Sequence, residues 1–324
     1  MTAEMYIGVD VGGGGIRIQA RVDGRPHEAN DPGPVPRSAG QIDVDKLGVR
    51  IGRLVSDLGH VAPAVRVARV VVGLTGMPGL LEHPQELAAV IHRTVPAESV
   101  IIASDSLTTH VGALEGRPGA VVAAGTGVIV LATDHATVWN HVDGWGFLLG
   151  DDGGGAWIGS HGLRAALKSL DGRPGGSKHL LNELRLRFGD AEAAMAQIYG
   201  TTSPAHELAA FAPSVARAAH AGDPVALDIW HRAGAALAES VHAASHGVAD
   251  EYSWGGKLFD AGDILFTPFQ ETLRRLAPGA RLTPPAGQAA DGALILAQRG
   301  IADRQPALAT YAQEFPGVGH SADS

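Results

Sequence analysis

The chain is 324 residues long, carries a formal charge of −9, has no cysteine and contains 44 glycines. At roughly 100–200 residues per domain this length predicts about two domains. The acidic balance excludes a phosphate-backbone binder, so no nucleic-acid partner is expected. The missing cysteines exclude disulfides, thiolate catalysis and cysteine-held metal clusters. The start MTAEMYIGVD has no basic stretch leading into an apolar core, and no apolar run reaches about 20 residues. These features predict a soluble cytoplasmic protein with no membrane partner.

In chain order, residues 5–11 (MYIGVDV) read as a buried strand, followed by Gly12, Gly13, Gly14 and Gly15. Beyond them Ile16, Ile18, Ala20 and Val22 alternate with polar residues, which is the period of a second strand. The glycines therefore close a hairpin. A dinucleotide-binding loop would lead into a helix, so that reading fails. An irregular loop is expected at 30–40, a helix at 43–59, a strand at 66–74, a helix at 83–93 and a strand at 99–103. Strand, glycine turn and strand recur at 119–132 around Gly125, Thr126 and Gly127. The repeat predicts two related lobes facing a common cleft. Beyond residue 155 the pattern turns helical, with helices expected at 156–170, 178–188, 206–221 and 224–247. A short strand at 250–254 precedes Gly255 and Gly256, then helices at 260–276 and 288–299. The tail beyond about 304 is expected to be loosely ordered.

Five segments could carry chemistry. Asp10 beside Gly12–Gly15 suits a metal–phosphate unit: turn amides bind phosphate oxygens, and an acid holds hydrated Mg²⁺. Asp105 follows a strand, at the edge where α/β sheets gather ligands, although on these residues alone a plain helix N-cap at Ser104, Asp105 or Ser106 is the expected role. The turn Gly125–Gly127 offers the Thr126 hydroxyl to a phosphate or a sugar oxygen. In GWGFLLGDDGGGAWI, Gly144, Trp145, Asp151 and Asp152 suit a sugar, Trp145 by its flat face and the acids by meeting hydroxyl or ammonium groups. Gly255-Gly256 can admit a base or ribose against the backbone. His242 and His246, spaced i, i+4, have zinc-compatible spacing but lack the intervening glutamate of zinc proteases, and a packed or solvated helix face is the expected role.

The order of these motifs resembles the N-acetylglucosamine kinase and BadF/BadG-type ATPase family of the actin/hexokinase superfamily, over about residues 5–300. Within that group the chain looks like the actinobacterial glucosamine kinases. The resemblance implies an α/β fold of two RNase H-like, actin-like ATPase lobes around a central cleft, the second helix-rich. The lobes are expected at 1–115 and 116–304, with helix 288–304 an optional part of the first and 305–324 a loose tail. It implies transfer of the ATP γ-phosphoryl group to the 6-hydroxyl of glucosamine, with N-acetylglucosamine or a broader hexose as alternative substrate. A non-catalytic sugar sensor of the same fold is the second alternative. ATP and Mg²⁺ are the implied cofactors and a homodimer the implied assembly.

Carried over residue by residue, Asp105 matches the catalytic base and Asp10 the metal-side acid. Gly12–Gly15 match the first phosphate motif, and Gly125, Thr126 and Gly127 the second. Trp145 and Asp151 match the hexosamine stretch, which Gly144 and Asp152 adjoin, and Gly255 and Gly256 match the adenosine motif. Relatives commonly carry Thr or Ser where this chain has Gly14, and often Glu where it has Asp152. The first departure removes a hydroxyl contact to phosphate, and the second leaves the sugar open. DNA-binding regulators of this fold usually begin with a helical module, whereas this chain enters its first strand by residue 5. The dehydratase-activating ATPases need cluster-binding cysteines.

Overall fold

The structure, a computed structural model, describes residues 3–33, 35–38, 41–59, 65–75, 81, 83–248, 250–300 and 308–317. The chain divides into two units, Met1–Arg117 with Pro285–Ser324, and Pro118–Pro284. Each has its own sheet and apolar core.

The first unit opens with the predicted hairpin, β1 (Ala3–Gly12) paired antiparallel to β2 (Gly15–Val22). The expected loop at 30–40 starts late, because Arg25–Pro32 forms β3 on the outer edge of β2. There alternating polar residues need no apolar face. A small ribbon follows, β4 (Arg37–Ser38) with β5 (Gln41–Ile42). The helical spacing at 43–59 is realised as α1 (Val44–Gly59), which buries Leu47, Ile51, Val55 and Leu58 on one face. Strand β6 (Val65–Leu74), helix α2 (Pro84–Thr94), strand β7 (Ala97–Ser104) and helix α3 (Asp105–Leu114) complete this stretch. Strands β1, β6 and β7 run parallel.

The second unit repeats the device. Strands β8 (Gly119–Ala124) and β9 (Val128–Thr133) form a hairpin, and β10 (Trp139–Asp143) pairs antiparallel to β9. The helical layer comprises α4 (Gly155–Leu170), α5 (Lys178–Phe188), α6 (Ala191–Gly200), α7 (Pro204–Ala209), α8 (Ala212–His220) and α9 (Pro224–Ala244). The helix expected at 206–221 is two helices. Fully buried Phe211 takes the corner between them, and Pro213 lies in the first turn of α8, where its missing N–H costs nothing. Helix α9 stops at Ala244, short of the expected 247. The Asn140 side chain donates to the Ala244 and His246 carbonyls and closes its end. Strand β11 (Glu251–Gly255) lies parallel to β8, a 3-10 turn spans Lys257–Ala261, α10 covers Asp263–Leu276, and β12 (Arg281–Leu282) edges the sheet.

The sheet orders are β13-β7-β6-β1-β2-β3 and β10-β9-β8-β11-β12. In both, an antiparallel three-stranded meander is extended by two parallel strands beside its first member. The internal repeat is thus a repeat of topology, and the fold is that of two actin-like ATPase lobes, the second richer in helix.

The C-terminal stretch bears on two sequence-based expectations. Residues 285–300 lie in the first unit, the optional placement given to helix 288–304. Helix α11 (Ala289–Arg299) packs on α3 and β1, with Arg69 donating to the Ala297 carbonyl at 2.7 Å and Arg299 to that of Glu115 at 3.0 Å. The tail is not loose over 308–317. After the short helix α12 (Leu308–Tyr311), β13 (Ala312–Pro316) pairs antiparallel to β7, and Ser99 donates to Glu314 at 2.6 Å. An edge strand held by its backbone ladder needs little apolar sequence, and AQEFP shows little.

Candidate functional site

In the first unit, the register aligns Asp10 with Gly73 and Ala103, and Val11 with Leu74 and Ser104. The next residues, Thr75 and Asp105, therefore reach the same carboxyl edge as the glycine turn. The Thr75 N–H donates to the Val11 carbonyl at 3.1 Å and fixes this corner. Gly12 pairs with Gly15 across the hairpin, leaving Gly13 and Gly14 exposed at its tip. Ser104 caps α3, accepting the Leu107 N–H at 3.3 Å. The capping role thus falls to Ser104 and leaves the Asp105 carboxyl for other work.

Burial pushes the Asp105 carboxyl up to about 7, and the nearby charge of Asp10 adds to the rise. The Thr75 hydroxyl and the N–H groups of Ser106 and Asp105 oppose it. Asp10 is buried, and its Oδ2 accepts from Arg17 Nη1 at 2.8 Å across the β1–β2 pair. Thr75 is a site residue that sequence reasoning passed over: it lay in a turn with no motif of its own.

Asp10 and Asp105 are hard oxygen donors, and no set of three or more metal-ligating side chains exists among the described residues. A carboxylate such as that of Asp10 is the donor type magnesium takes, since the ion keeps most of its waters and needs one or two carboxylates beside substrate phosphates.

In the second unit, the Gly125 N–H donates to the Gly127 carbonyl at 2.9 Å and closes the β8–β9 turn. The Gly125 and Thr126 carbonyls accept the N–H groups of Gly155 and Ala156 at 2.8 and 2.9 Å. Two otherwise orphaned donors at the start of α4 are thereby satisfied by the turn. Gly256, at φ +91°, lies against the end of β8: a Cβ there would sit 2.1 Å from the Ala124 carbonyl oxygen. Gly255 and Gly256 thus adjoin the Gly125 turn, about 130 residues away in sequence.

The GWGFLLG segment forms a loop with Trp145, Leu148 and Leu149 exposed, Trp145 at 73%. Gly144 holds φ +78° at its start. Asp151 is buried, and its Oδ1 accepts the Gly146 N–H at 3.1 Å, with the N–H groups of Val128 and Gly144 also favouring its ionised form. Burial raises its pKa and these donors oppose the rise. Its Oδ1 is thus engaged by the backbone of its own loop. Asp152 is exposed. Its charge lies near His161, whose ring centroid is 3.8 Å from that of Trp157 at a 32° tilt and whose pKa is lowered, chiefly by burial.

His242 and His246 have ring centroids 6.1 Å apart and line a surface pocket of about 390 Å³ with Asp250 and Tyr252, at the opposite end of β11 from Gly255. They form no metal-holding group with other described residues. No helix among the described residues is long and apolar enough to cross a membrane.

Residues 7–259 match the model of the BadF/BadG/BcrA/BcrD ATPase family. The chain belongs to that family. It is 30% identical over 211 residues to the N-acetylmuramic acid/N-acetylglucosamine kinase of Clostridium acetobutylicum, covering 61% of this chain and 67% of the relative. Among solved structures it is similar to a putative N-acetylglucosamine kinase from Chromobacterium violaceum, with TM-score 0.68, 26% identity and coverage of 92% and 100%. It shares its fold with a putative N-acetylglucosamine kinase from Porphyromonas gingivalis, with TM-score 0.66, 17% identity and coverage of 90% and 99%.

Proposed function

We propose that the chain is an ATP-dependent sugar kinase that phosphorylates the 6-hydroxyl of an amino sugar, N-acetylglucosamine ahead of glucosamine. The observation that carries the reading is Asp105, a carboxyl beside the glycine hairpin whose proton affinity burial has raised to about 7. A general base works best when its pKa lies near the working pH, because it is then both ionised and basic enough to take a proton.

In this reading Asp105 accepts the proton of the attacking hydroxyl, and Thr75 keeps its carboxyl oriented. Phosphoryl transfer needs positioning and charge neutralisation more than covalent help. Mg²⁺, when bound, supplies that neutralisation, and Asp10 is the residue that would hold its water shell. Gly12–Gly15 and the Thr126 turn supply phosphate contacts, and Gly255-Gly256 leave room for the nucleoside.

N-acetylglucosamine is placed first for two reasons. N-acetylglucosamine stands in the name of each relative above, and the Asp151 Oδ1 already accepts the Gly146 N–H. Glucosamine is the second reading, favoured by exposed Asp152, which could pair with an ammonium group for about 1.5–3 kcal/mol. Mg²⁺-dependent ADP release with N-acetylglucosamine, glucosamine and glucose tests both. A kcat/KM for N-acetylglucosamine at least about tenfold above the others is expected, and equal values or a preference for glucosamine would overturn the order.

A further inference from the structure

Asp143, at the end of β10, has no part in the chemistry above, yet it is buried and holds φ +66°. Its Oδ1 accepts the Asp151 N–H at 2.6 Å, and its Oδ2 accepts the Ser240 hydroxyl of α9 at 3.3 Å. Asp151 also holds a left-handed conformation, φ +58°. Aspartate tolerates that region better than most residues, and two such residues bracketing one loop need neighbours that fix them.

The second carboxylate continues the chain of contacts. Asp151 Oδ1 takes the Gly146 N–H inside the loop, and its other oxygen lies against the glycine turn: a Cβ on Gly127 would stand 2.0 Å from Asp151 Oδ2. The N–H of Val128, the first residue after that turn, also favours the ionised carboxylate. Gly150 fits the opposite side, where a Cβ would meet Asp143 Oδ1 at 2.8 Å and Trp145 Cβ at 3.0 Å. Every link lies within the second unit.

We infer that Asp143 and Asp151 are positioning residues: Asp143 fixes the backbone of Asp151, whose carboxylate ties the Trp145 loop to the Gly125–Gly127 turn so that the two move as one body. The inference rests on the kinase reading only for its consequence in catalysis. A residue touching only the sugar changes the KM for sugar alone. A clamp that holds a sugar-side loop on a phosphate-side turn changes the KM values for sugar and ATP together.

The test has two readouts. Chymotrypsin cuts after Trp, Phe and Leu, so cleavage within residues 145–149, mapped by mass spectrometry, reports release of the loop with no reference to activity. Asp151→Asn keeps one acceptor oxygen and tolerates positive φ, yet cleavage in this loop is expected to quicken at least about tenfold, the scale of one lost charge-assisted hydrogen bond. Asp143→Ala is expected to do the same, and Asp143→Asn, which retains an acceptor, to restore most of the protection. Circular dichroism confirms that each variant is folded, and comparing the two positions covers the case in which one variant fails to fold. In steady-state kinetics Asp151→Asn is expected to raise the KM values for N-acetylglucosamine and ATP by similar factors. Unchanged cleavage, or a KM change for sugar alone, overturns the clamp. If no sugar supports ATP turnover but cleavage quickens, the kinase reading fails and the clamp stands.

Discussion

Arg17 Nη1 donates to Asp10 Oδ2 at 2.8 Å across the first hairpin, so the acid expected to hold the metal's water shell is already neutralised by a cation from the neighbouring strand. The pairing explains how a carboxylate is accommodated in a nearly closed part of the sheet. Removing the guanidinium leaves that charge poorly compensated. Arg17→Ala is expected to lower stability by about 1–3 kcal/mol, read as a lower thermal midpoint. Asp10→Asn is expected to fold and to shift half-saturation by Mg²⁺ to higher concentration, measured by titrating the metal at fixed ATP.

Asp105 sets the pH dependence. Its carboxyl must be ionised to accept a proton, so kcat/KM is expected to climb through about pH 7 on the acid side. Asp105→Asn is expected to reduce kcat by about 10²–10⁴-fold and to lose that limb.

The same shift predicts a stability signature. Because folding favours the protonated carboxyl, its contribution is complete below the ordinary value of 3.8 and is lost as the pH rises to about 7. Asp105→Asn, which never ionises, is therefore expected to melt above the wild type at pH 8, with the gap narrowing by pH 5 and closing only below the ordinary value of 3.8. A gap independent of pH would show that the carboxyl titrates as an ordinary aspartate.

Gly127 tests the packing of the second turn. Alanine there drives a methyl into Asp151 Oδ2, because the added Cβ would lie 2.0 Å from it. Gly127→Ala is expected to lower the thermal midpoint and to weaken ATP binding at least about tenfold in a titration, since the turn must move off its acid. A variant with unchanged nucleotide affinity would separate the turn from the phosphates.

What could be read in the sequence follows a physical divide. Periodicity revealed both hairpins, because alternating burial at Ile16, Ile18, Ala20 and Val22 is a local property of a half-buried ribbon. It revealed α1 for the same reason, through Leu47, Ile51 and Val55. Edges were not legible: β3 and β13 are held by backbone pairing, which leaves no hydrophobic pattern, and α11 returns to the first unit through contacts remote in sequence. At the candidate site, glycine clusters and strand-end acids pointed to Asp10, Asp105, Thr126 and Asp151. Thr75 and Asp143 escaped notice because each is marked only by the partner it meets. Asp151 was identified, but its orientation toward backbone donors depends on a loop closure that residue type cannot express.

The most direct test of the account is the product itself. Wild-type protein and Asp105→Ala are incubated with ATP, Mg²⁺ and N-acetylglucosamine, and ³¹P NMR follows the appearance of a sugar monophosphate. The account predicts N-acetylglucosamine 6-phosphate from the wild type and essentially none from the variant while the variant still binds ATP. A folded wild type that binds ATP yet phosphorylates no sugar, or an Asp105→Ala variant that works at the wild-type rate, would contradict it.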